Sequence, residues 1–167
     1  MFDSFDPELE KAMQTAVRYL GHRPRSEKEV RDHLLRKTYD EKTIFKVIDR
    51  LKHYEYINDE TFARMFVENR KRYNPKSKFA LGYELKQKGV ASRICDTLLA
   101  DYKDTQMAKK ALGLKRRHWQ HLALETQRKK AMNFLRYRGF GYEACMAAWE
   151  DFHEDPNATD TSNSNGK

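Results

Sequence analysis

One pattern decides the fold and occurs three times, in LRKTYDEKTIFKVI (35–48), LKQKGVASRICDTL (85–98) and LRYRGFGYEACMAA (135–148). Each copy has a leucine, a basic turn, a stop and then an apolar run, and the leading leucines stand fifty residues apart. In the second and third copies the stop is Gly89 or Gly139. Glycine tolerates the left-handed conformation at a helix end, and cations before it suit the helix dipole. The repeat therefore predicts a helix end at each stop, with another helix following it.

The first copy departs from this pattern because Tyr39 stands where the spacing places the glycine. A residue other than glycine pays about 1–2 kcal/mol in the left-handed conformation. Either the first of these helices ends differently, or it tolerates that strain.

Local start signals place the helices of the first unit. The sequence DPE (6–8) predicts a helix that runs to about Leu20, SEKE (26–29) is a capping box, and Asp40 can cap a third helix. The residues expected to face the core are Val30, Leu34, Leu35, Ile44, Val47, Ile48 and Leu51.

The second and third units follow the same plan. Asn58 or Asp59 caps one helix, Asn74-Pro75 starts the next through Phe79 and Leu85, and Ser92 starts the last. The third unit is predicted to have a helix from near Thr105, a second ending at Arg138, and a third over 143–152. Residues 112–125 are either a continued helix or a loop with a turn. The residues expected to face the core of the second unit are Phe62, Met65, Phe66, Cys95, Leu98 and Leu99.

The predicted fold is all-α, with nine helices in three tandem three-helix repeats that form an elongated molecule with room for curvature. The repeats are residues 1–55, 56–103 and 104–153, and residues 154–167 are predicted to be a disordered acidic and polar tail. A unit of this size is near the lower limit for folding alone, so each repeat is expected to bury surface against the next.

The charge is concentrated away from the ends. The chain carries a net charge of +8, but residues 11–149 hold 32 basic and 16 acidic residues, a net charge of +16. Such a core predicts a polyanionic partner, although the bases could also serve only to solvate a helical protein. Only Cys95 and Cys145 are present and no leading apolar stretch occurs, which favours a reducing cytoplasm and no membrane span.

Three basic clusters supply the candidate binding residues, and the third interleaves its cations with Trp119 and Tyr137. Phosphate binding needs cations, and aromatic rings add stacking on unpaired bases. Alternatively, cations such as Arg70 only favour a helix end. Gly82 falls inside a basic helix face, which indicates close approach by a neighbouring helix or a bound backbone. The predicted partner- and DNA-binding residues are Arg70, Lys71, Arg72, Lys76, Lys78, Lys86, Lys88, Lys115, Arg116, Arg117, Arg128, Lys129, Lys130, Arg136 and Arg138.

Catalytic and metal-binding patterns are missing from the sequence. It contains no GxGxxG, GxxxxGK[ST], HExxH or GxSxG, so we expect no enzyme, no cofactor and no metal. Cys95 and Cys145 share one repeat position, filled by Phe45 in the first copy, and are interpreted as core residues. The triplet His118, His121 and Glu125 has helical spacing but is better explained by solvation than by metal binding. The acids at 59 and 60 are interpreted as helix-start residues.

Three segments resemble the RecX family of recombination regulators: YLGHRPRSEKEVRDHL (19–34), YINDETFARMFVENRKRYNPKSKFALGYELKQKGV (56–90) and FLRYRGFGYEACMAAWEDF (134–152). The resemblance covers most of residues 12–152 and is weakest over 109–127. It implies a non-enzymatic protein of tandem three-helix repeats that lies along the groove of the RecA filament. Such a protein mainly inhibits filament extension, ATPase and strand exchange in recombination, repair and the SOS response. The implied partners are RecA and single- or double-stranded DNA, bound by a cytoplasmic monomer.

A second hypothesis is a stand-alone DNA-binding regulator that uses one unit as a helix-turn-helix reader. Against it, the sequence shows no dimerisation element and no recognition helix rich in Asn, Gln and Arg. Tight, sequence-dependent binding to duplex DNA without RecA would distinguish it.

Overall fold

The structure, a computed structural model, describes residues 6–154 and confirms the all-α prediction, since this part of the chain contains helices and no strand. The predicted tail therefore lies outside the described residues, apart from Glu154 at the end of the last helix. The helices are α1 (Pro7–Leu20), α2 (Glu27–Arg36), α3 (Glu41–His53), α4 (Asp59–Tyr73), α5 (Lys78–Gln87), α6 (Ser92–Leu98), α7 (Asp104–Gly113), α8 (Arg116–Trp119), α9 (Leu124–Tyr137) and α10 (Tyr142–Glu154).

Side-chain caps start the first three helices where the sequence predicts them. The Asp6 carboxylate accepts the backbone N–H groups of residues 8 and 9, and Asp40 does the same for residues 42 and 43. Ser26 and Glu29 form the capping box that starts α2, each side chain bonding to the backbone of the other. Each cap satisfies donors that the first helical turn cannot bond internally.

The helices group into two compact units. Among the described residues, the first contains 6–68 and 82–100, and the second contains 69–81 and 101–154. The predicted repeat boundaries, 1–55, 56–103 and 104–153, and the elongated shape stay predictions. The core of the first unit comprises Leu9, Ala12, Ala16, Val30, Leu34, Ile44, Val47, Ile48, Leu51 and Ile57. The core of the second comprises Ala108, Ala111, Leu112, Ala131, Leu135, Phe140, Ala144, Cys145, Ala148, Trp149 and Phe152.

The expected equivalence of Tyr39 with the two glycines is wrong by one residue. Thr38 is the left-handed residue, with φ +64°, and it corresponds to Gly89 (φ +81°) and Gly139 (φ +85°). The N–H of Tyr39 bonds back to the carbonyl of Leu34, as those of Val90 and Phe140 bond back to Leu85 and Leu135. The first copy therefore does contain the same helix end, with a threonine bearing the strain.

The same shift corrects two further expectations in the first unit. Leu34 is the buried counterpart of Leu85 and Leu135, whereas Leu35 is exposed. Ile44, which is fully buried, takes the place assigned to Phe45, whose side chain is 68% exposed. A one-residue slip turns a helical side chain by about 100°, which is enough to exchange core and solvent.

The start of α4 agrees with the sequence prediction and the start of α5 does not. Asn58, one of the two predicted caps, starts α4 by accepting the N–H groups of residues 60 and 61. Asn74-Pro75 does not start α5; Ser77 does, accepting the N–H of Ala80. Met65 is exposed rather than inward, because α4 buries Phe62, Ala63 and Val67.

The uncertain stretch 112–125 contains the end of α7, the one-turn helix α8, and a turn before α9. Its extra helix makes ten in the described residues where nine are predicted. The remaining helices of this region, α7, α9 and α10, lie close to the predicted positions.

A junction in the first unit joins the start of α2 to two later helices. The Ser26 hydroxyl donates to the carbonyl of Lys88 at 2.6 Å, and the Asp59 carboxylate accepts the N–H of Glu27 at 2.8 Å. Gly89 lies so close that a Cβ on it would be 2.5 Å from the Cβ of Lys28. The end of α5 thus closes on the start of α2, and the opposite ends of the two helix dipoles meet. We call this contact the first junction.

A second junction, within the second unit, repeats this arrangement. The Asp104 carboxylate accepts the N–H of Lys78 at 2.6 Å, and the carbonyl of Arg138 accepts the N–H of Ser77 at 3.1 Å. A Cβ on Gly139 would be 2.6 Å from the Ser77 hydroxyl oxygen. In the first junction the start of α2 contacts the start of α4 and the end of α5. In the second junction the start of α5 contacts the start of α7 and the end of α9 in the same way.

Candidate functional site

The exposed face of α9 brings together three of the predicted cations, Lys129, Lys130 and Arg136. Asn133 and Tyr137 are exposed on the same face, and Tyr137 is 95% exposed. At 3.6 residues per turn these five side chains span about 120° of the helix. We call these five residues the α9 face. Asn133 is absent from the predicted set, although a helical projection of the sequence finds it.

Arg128 is also exposed on α9, but it points about 100° away from Lys129. Among the neighbouring cations of the second unit, one is exposed to solvent and two are packed against aromatic rings. Arg117 is exposed, the Lys115 ammonium lies 5.5 Å from the Phe134 ring, and the Arg116 guanidinium lies 4.5 Å from the Phe152 ring. Cations held over aromatic rings contribute to packing as well as to charge.

Arg138 is turned inward, toward the segment that precedes α5. Its guanidinium donates to the side chain of Asn74 and to the carbonyl of Pro75, and it lies 4.3 Å from the Phe134 ring. Burial, together with Arg70 nearby, lowers the pKa of this guanidinium. These bonds give Arg138 a role in holding the second unit together.

The remaining cations of the second unit lie at the end of α4 and the start of α5. Arg70, Lys71 and Arg72 occupy the last turn of α4, where positive charge favours the helix end. Arg72 lies 5.2 Å from the ring of the exposed Tyr73. Lys76 is half-buried, its carbonyl accepting the Tyr102 hydroxyl, and Lys78 is exposed.

Two predicted cations belong to the first unit. Lys86 is exposed in the last turn of α5. Lys88 is half-buried and its ammonium bonds to Glu29 at 2.8 Å, beside the first junction. A Cβ on Gly82 would lie 3.9 Å from the side chain of Leu99, the residue after α6, which is an ordinary contact distance rather than the close approach that the sequence predicts.

A cluster around Glu29 holds more positive than negative charge. Arg23 bonds to this carboxylate at 2.7 Å, Lys88 at 2.8 Å, and Arg25 stands 4.0 Å away. Burial raises the pKa of Glu29, but the hydrogen bonds from Arg23, Lys88 and the Ser26 backbone outweigh it and lower the value to about 2. Three cations therefore surround one carboxylate that is ionised at neutral pH. The sequence gives no hint of this cluster beyond the capping box itself.

The two cysteines are buried, as predicted for core residues. Burial raises the pKa of both thiols, the direction opposite to that of a reactive cysteine. Each thiol points at a backbone carbonyl, that of Val90 for Cys95 and that of Phe140 for Cys145.

The expected helical spacing of the two histidines with Glu125 does not hold, since His118 lies on α8, His121 in a turn and Glu125 on α9. Within residues 6–154 no three His, Cys, Asp or Glu side chains are grouped to hold a metal ion. Asp59 acts at the first junction, and Glu60 pairs with Arg64 on the surface of α4. No helix in the same range is long and apolar enough to cross a membrane.

The described residues form an all-helical protein in which two junctions between helices share one arrangement. Residues 12–51 match the RecX first three-helix domain, and residues 58–99 match the RecX second three-helix domain. The Regulatory protein RecX of Prosthecochloris aestuarii is 36% identical over 135 residues, which cover 81% of this chain and 89% of the relative. The chain belongs to the RecX family.

Other relatives are longer than this chain. The Regulatory protein RecX of Bacillus velezensis is 36% identical over 149 residues, covering 87% of this chain but 57% of the relative. The crystal structure of RecX from Lactobacillus salivarius aligns with a TM-score of 0.68 at 22% identity, over 87% of this chain and 97% of that one. At that identity the likeness concerns the fold. The sequence relatives are named as regulatory proteins.

Proposed function

We propose that this chain regulates the RecA recombinase, mainly by inhibition, by binding along the groove of the RecA–DNA filament. It modulates the ATPase, extension and strand exchange of the filament in recombination, DNA repair and the SOS response. Membership of the RecX family carries this proposal, because the resemblance implies that activity. The protein acts without catalysis of its own, as a monomer in the cytoplasm.

The α9 face supports the nucleic-acid part of the proposal. Three exposed cations can neutralise phosphates, while the Tyr137 ring offers a stacking surface for an unpaired base. Lys78, Lys86, Arg117 and Arg128 are further exposed candidates. Tandem domains can meet successive subunits of a helical filament, so several weak contacts add up to tight binding.

The test follows ATP hydrolysis by RecA on single-stranded DNA while this protein is added up to the RecA concentration. We expect the rate to fall. The triple variant Lys129→Glu, Lys130→Glu, Arg136→Glu should lose most of the effect. Its matched control is Lys11→Glu, Lys37→Glu, Lys42→Glu, which changes the same charge at exposed positions of the first unit. An unchanged rate with the wild-type protein would reject the proposal.

A second candidate function, a stand-alone helix-turn-helix-like DNA-binding regulator, is favoured by one observation. The α9 face places Asn133 and Arg136 on the exposed side of one helix, and these residue types read base edges in the major groove. A salt titration of binding to genomic and random duplexes, without RecA, separates the two functions. Binding that prefers a sequence would favour this reader, and binding without preference would favour the filament regulator.

A further inference from the structure

A groove of about 760 Å³ lies in the first unit, on a side lined by none of the cations predicted from the sequence. Its walls are the end of α1 with the loop to α2, and the loop from α3 with the first turns of α4. Its volume is within the usual range of ligand sites in proteins.

One part of this groove is apolar and faces solvent. Met65 is 51% exposed, Val17 43% and Tyr56 60%, while the ring of Phe62 beneath them is buried. Apolar side chains gathered in a concave site, rather than scattered over a surface, mark a place that binds another apolar group. Glu55 in the same lining has φ +57°, a conformation that costs a residue with a side chain energy.

The other part of the groove is cationic. The Arg25 guanidinium lies 4.0 Å above the Tyr19 ring, and Tyr19 is itself stacked on His33 at 3.9 Å. This stack holds Arg25 in place, with only 14% of its side chain exposed. Its separation from Glu29, 4.0 Å, is too long for a hydrogen bond, and its Nε is buried without a hydrogen-bond partner. Arg25 is therefore a positioned cation in the lining of the groove, and its ion pair with Glu29 is a long one.

The charge beside the groove is only partly balanced by nearby acids, because Arg23, Arg25 and Lys88 face the two carboxylates of Glu29 and Glu55. Glu29 receives close bonds from Arg23 and Lys88 and makes only a long ion pair, 4.0 Å, with Arg25. A carboxylate from a bound ligand would neutralise the excess positive charge. The planar guanidinium of arginine suits a carboxylate because it can donate two parallel hydrogen bonds to it.

We propose that this groove binds a segment of a partner protein in which an apolar side chain stands next to carboxylates. The apolar side chain packs between Met65, Val17 and Tyr56, and the carboxylate bonds to Arg25. A nucleic acid would use the cation but would leave the aliphatic wall without a matching group, since its bases and sugars offer little aliphatic surface. The chemistry of the lining therefore favours an acidic peptide.

The test is a selection of random twelve-residue peptides displayed on phage, with the whole chain as bait and without RecA or DNA. We expect the recovered peptides to pair Leu, Phe, Met or Trp with Asp or Glu. Synthetic copies of these peptides should bind the Met65→Glu variant at least about 10-fold more weakly, as expected for loss of an anchor contact. Phe45→Glu, at another exposed apolar position of the first unit that lies outside the groove, should bind them as the wild type does.

Arg25→Gln provides an independent readout, because it should abolish the preference for acidic peptides while the apolar requirement persists. Circular dichroism of both groove variants checks that the fold is retained. Recovered peptides without an acidic excess, or equal binding to wild type and Met65→Glu, would overturn the proposal. So would displacement of the peptides by an oligonucleotide of eighteen thymidines, or a self-association of the chain that Met65→Glu abolishes. Because RecA is absent, the result does not depend on the filament.

Discussion

The helix end at Thr38 is harder to recognise in the sequence than those at Gly89 and Gly139, because it has a threonine in place of the glycine. Thr38 occupies a left-handed position that glycine fills at residues 89 and 139. A β-branched side chain is strongly disfavoured there. The bond from Tyr39 to Leu34 and the burial of Leu34 hold the turn closed in spite of this cost.

Thr38→Gly should therefore stabilise the protein by about 1 kcal/mol. Removal of the strain gains roughly 1–2 kcal/mol, and part of this is lost to the greater freedom of glycine in the unfolded chain. Urea unfolding measures the change. Thr38→Ala is the control, since it keeps a Cβ in the left-handed conformation and should gain much less. Equal midpoints for the glycine variant and the wild type would contradict this explanation.

The ion pairs of Glu29 should make the stability of the folded protein depend on pH. Its pKa in the folded state is about 2, against an ordinary 4.5, so its ion pairs stabilise the fold above pH 4.5 and are lost as the pH falls toward 2. With allowance for solvent screening the contribution is about 2 kcal/mol. Glu29→Gln should be less stable than the wild type by about this amount at pH 7, and the difference should shrink toward pH 2.

Urea unfolding at several pH values checks this dependence. Glu125→Gln, at an exposed acid on α9 in the second unit, is the control and should differ little from the wild type. A difference between wild type and Glu29→Gln that stays constant from pH 7 to pH 2 would show that the ion pairs contribute nothing.

At the scale of helices, the two junctions explain which features the sequence reveals. Caps such as Asp6 and Ser26 act within a few residues, so local pattern predicts them correctly. The cap at Ser77 is less visible because Asn74-Pro75 upstream gives a stronger start signal, and Asn74 is instead bonded to Arg138. Contacts between residues about sixty positions apart leave no mark in local periodicity.

The candidate binding residues were predictable to a similar extent. Sequence pattern identifies Lys129, Lys130 and Arg136, which prove to be exposed on one helix face. It cannot distinguish them from Lys88 or Arg138, because the partners of those two come from distant parts of the chain. The groove is invisible for the same reason, and Met65 has an apolar type that predicts burial rather than exposure.

The glycine at each junction should be essential for stability. Gly89→Ala adds strain at positive φ and places its Cβ 2.5 Å from that of Lys28, so we expect a loss of roughly 2–4 kcal/mol. Gly113→Ala, at the end of α7, is the matched control, because its Cβ would meet no atom within 4 Å. It should be neutral or slightly stabilising. Thermal unfolding of the two variants compares them, and similar melting temperatures would contradict a close junction.

At the scale of the whole molecule, charge should govern binding to nucleic acid. The logarithm of the affinity for single-stranded DNA falls with the logarithm of salt by about 0.7 for each phosphate neutralised. Reversal of Lys129, Lys130 and Arg136 removes three exposed cations and should reduce this slope by about 2. The Lys11, Lys37, Lys42 variant carries the same net charge. If it reduced the slope equally, general charge rather than the α9 face would explain binding.

The first junction also sets an order of events at the ribosome. The carbonyl that receives the Ser26 hydroxyl belongs to Lys88, sixty-two residues later in the chain. At about 5–20 residues synthesised per second, that partner emerges about 3–12 s after Ser26 does. During this interval the start of α2 can form its own capping box but cannot complete the junction. A nascent chain should therefore gain further protection from protease at Ser26, beyond what the core of residues 9–57 provides, once the segment through Gly89 has left the exit tunnel.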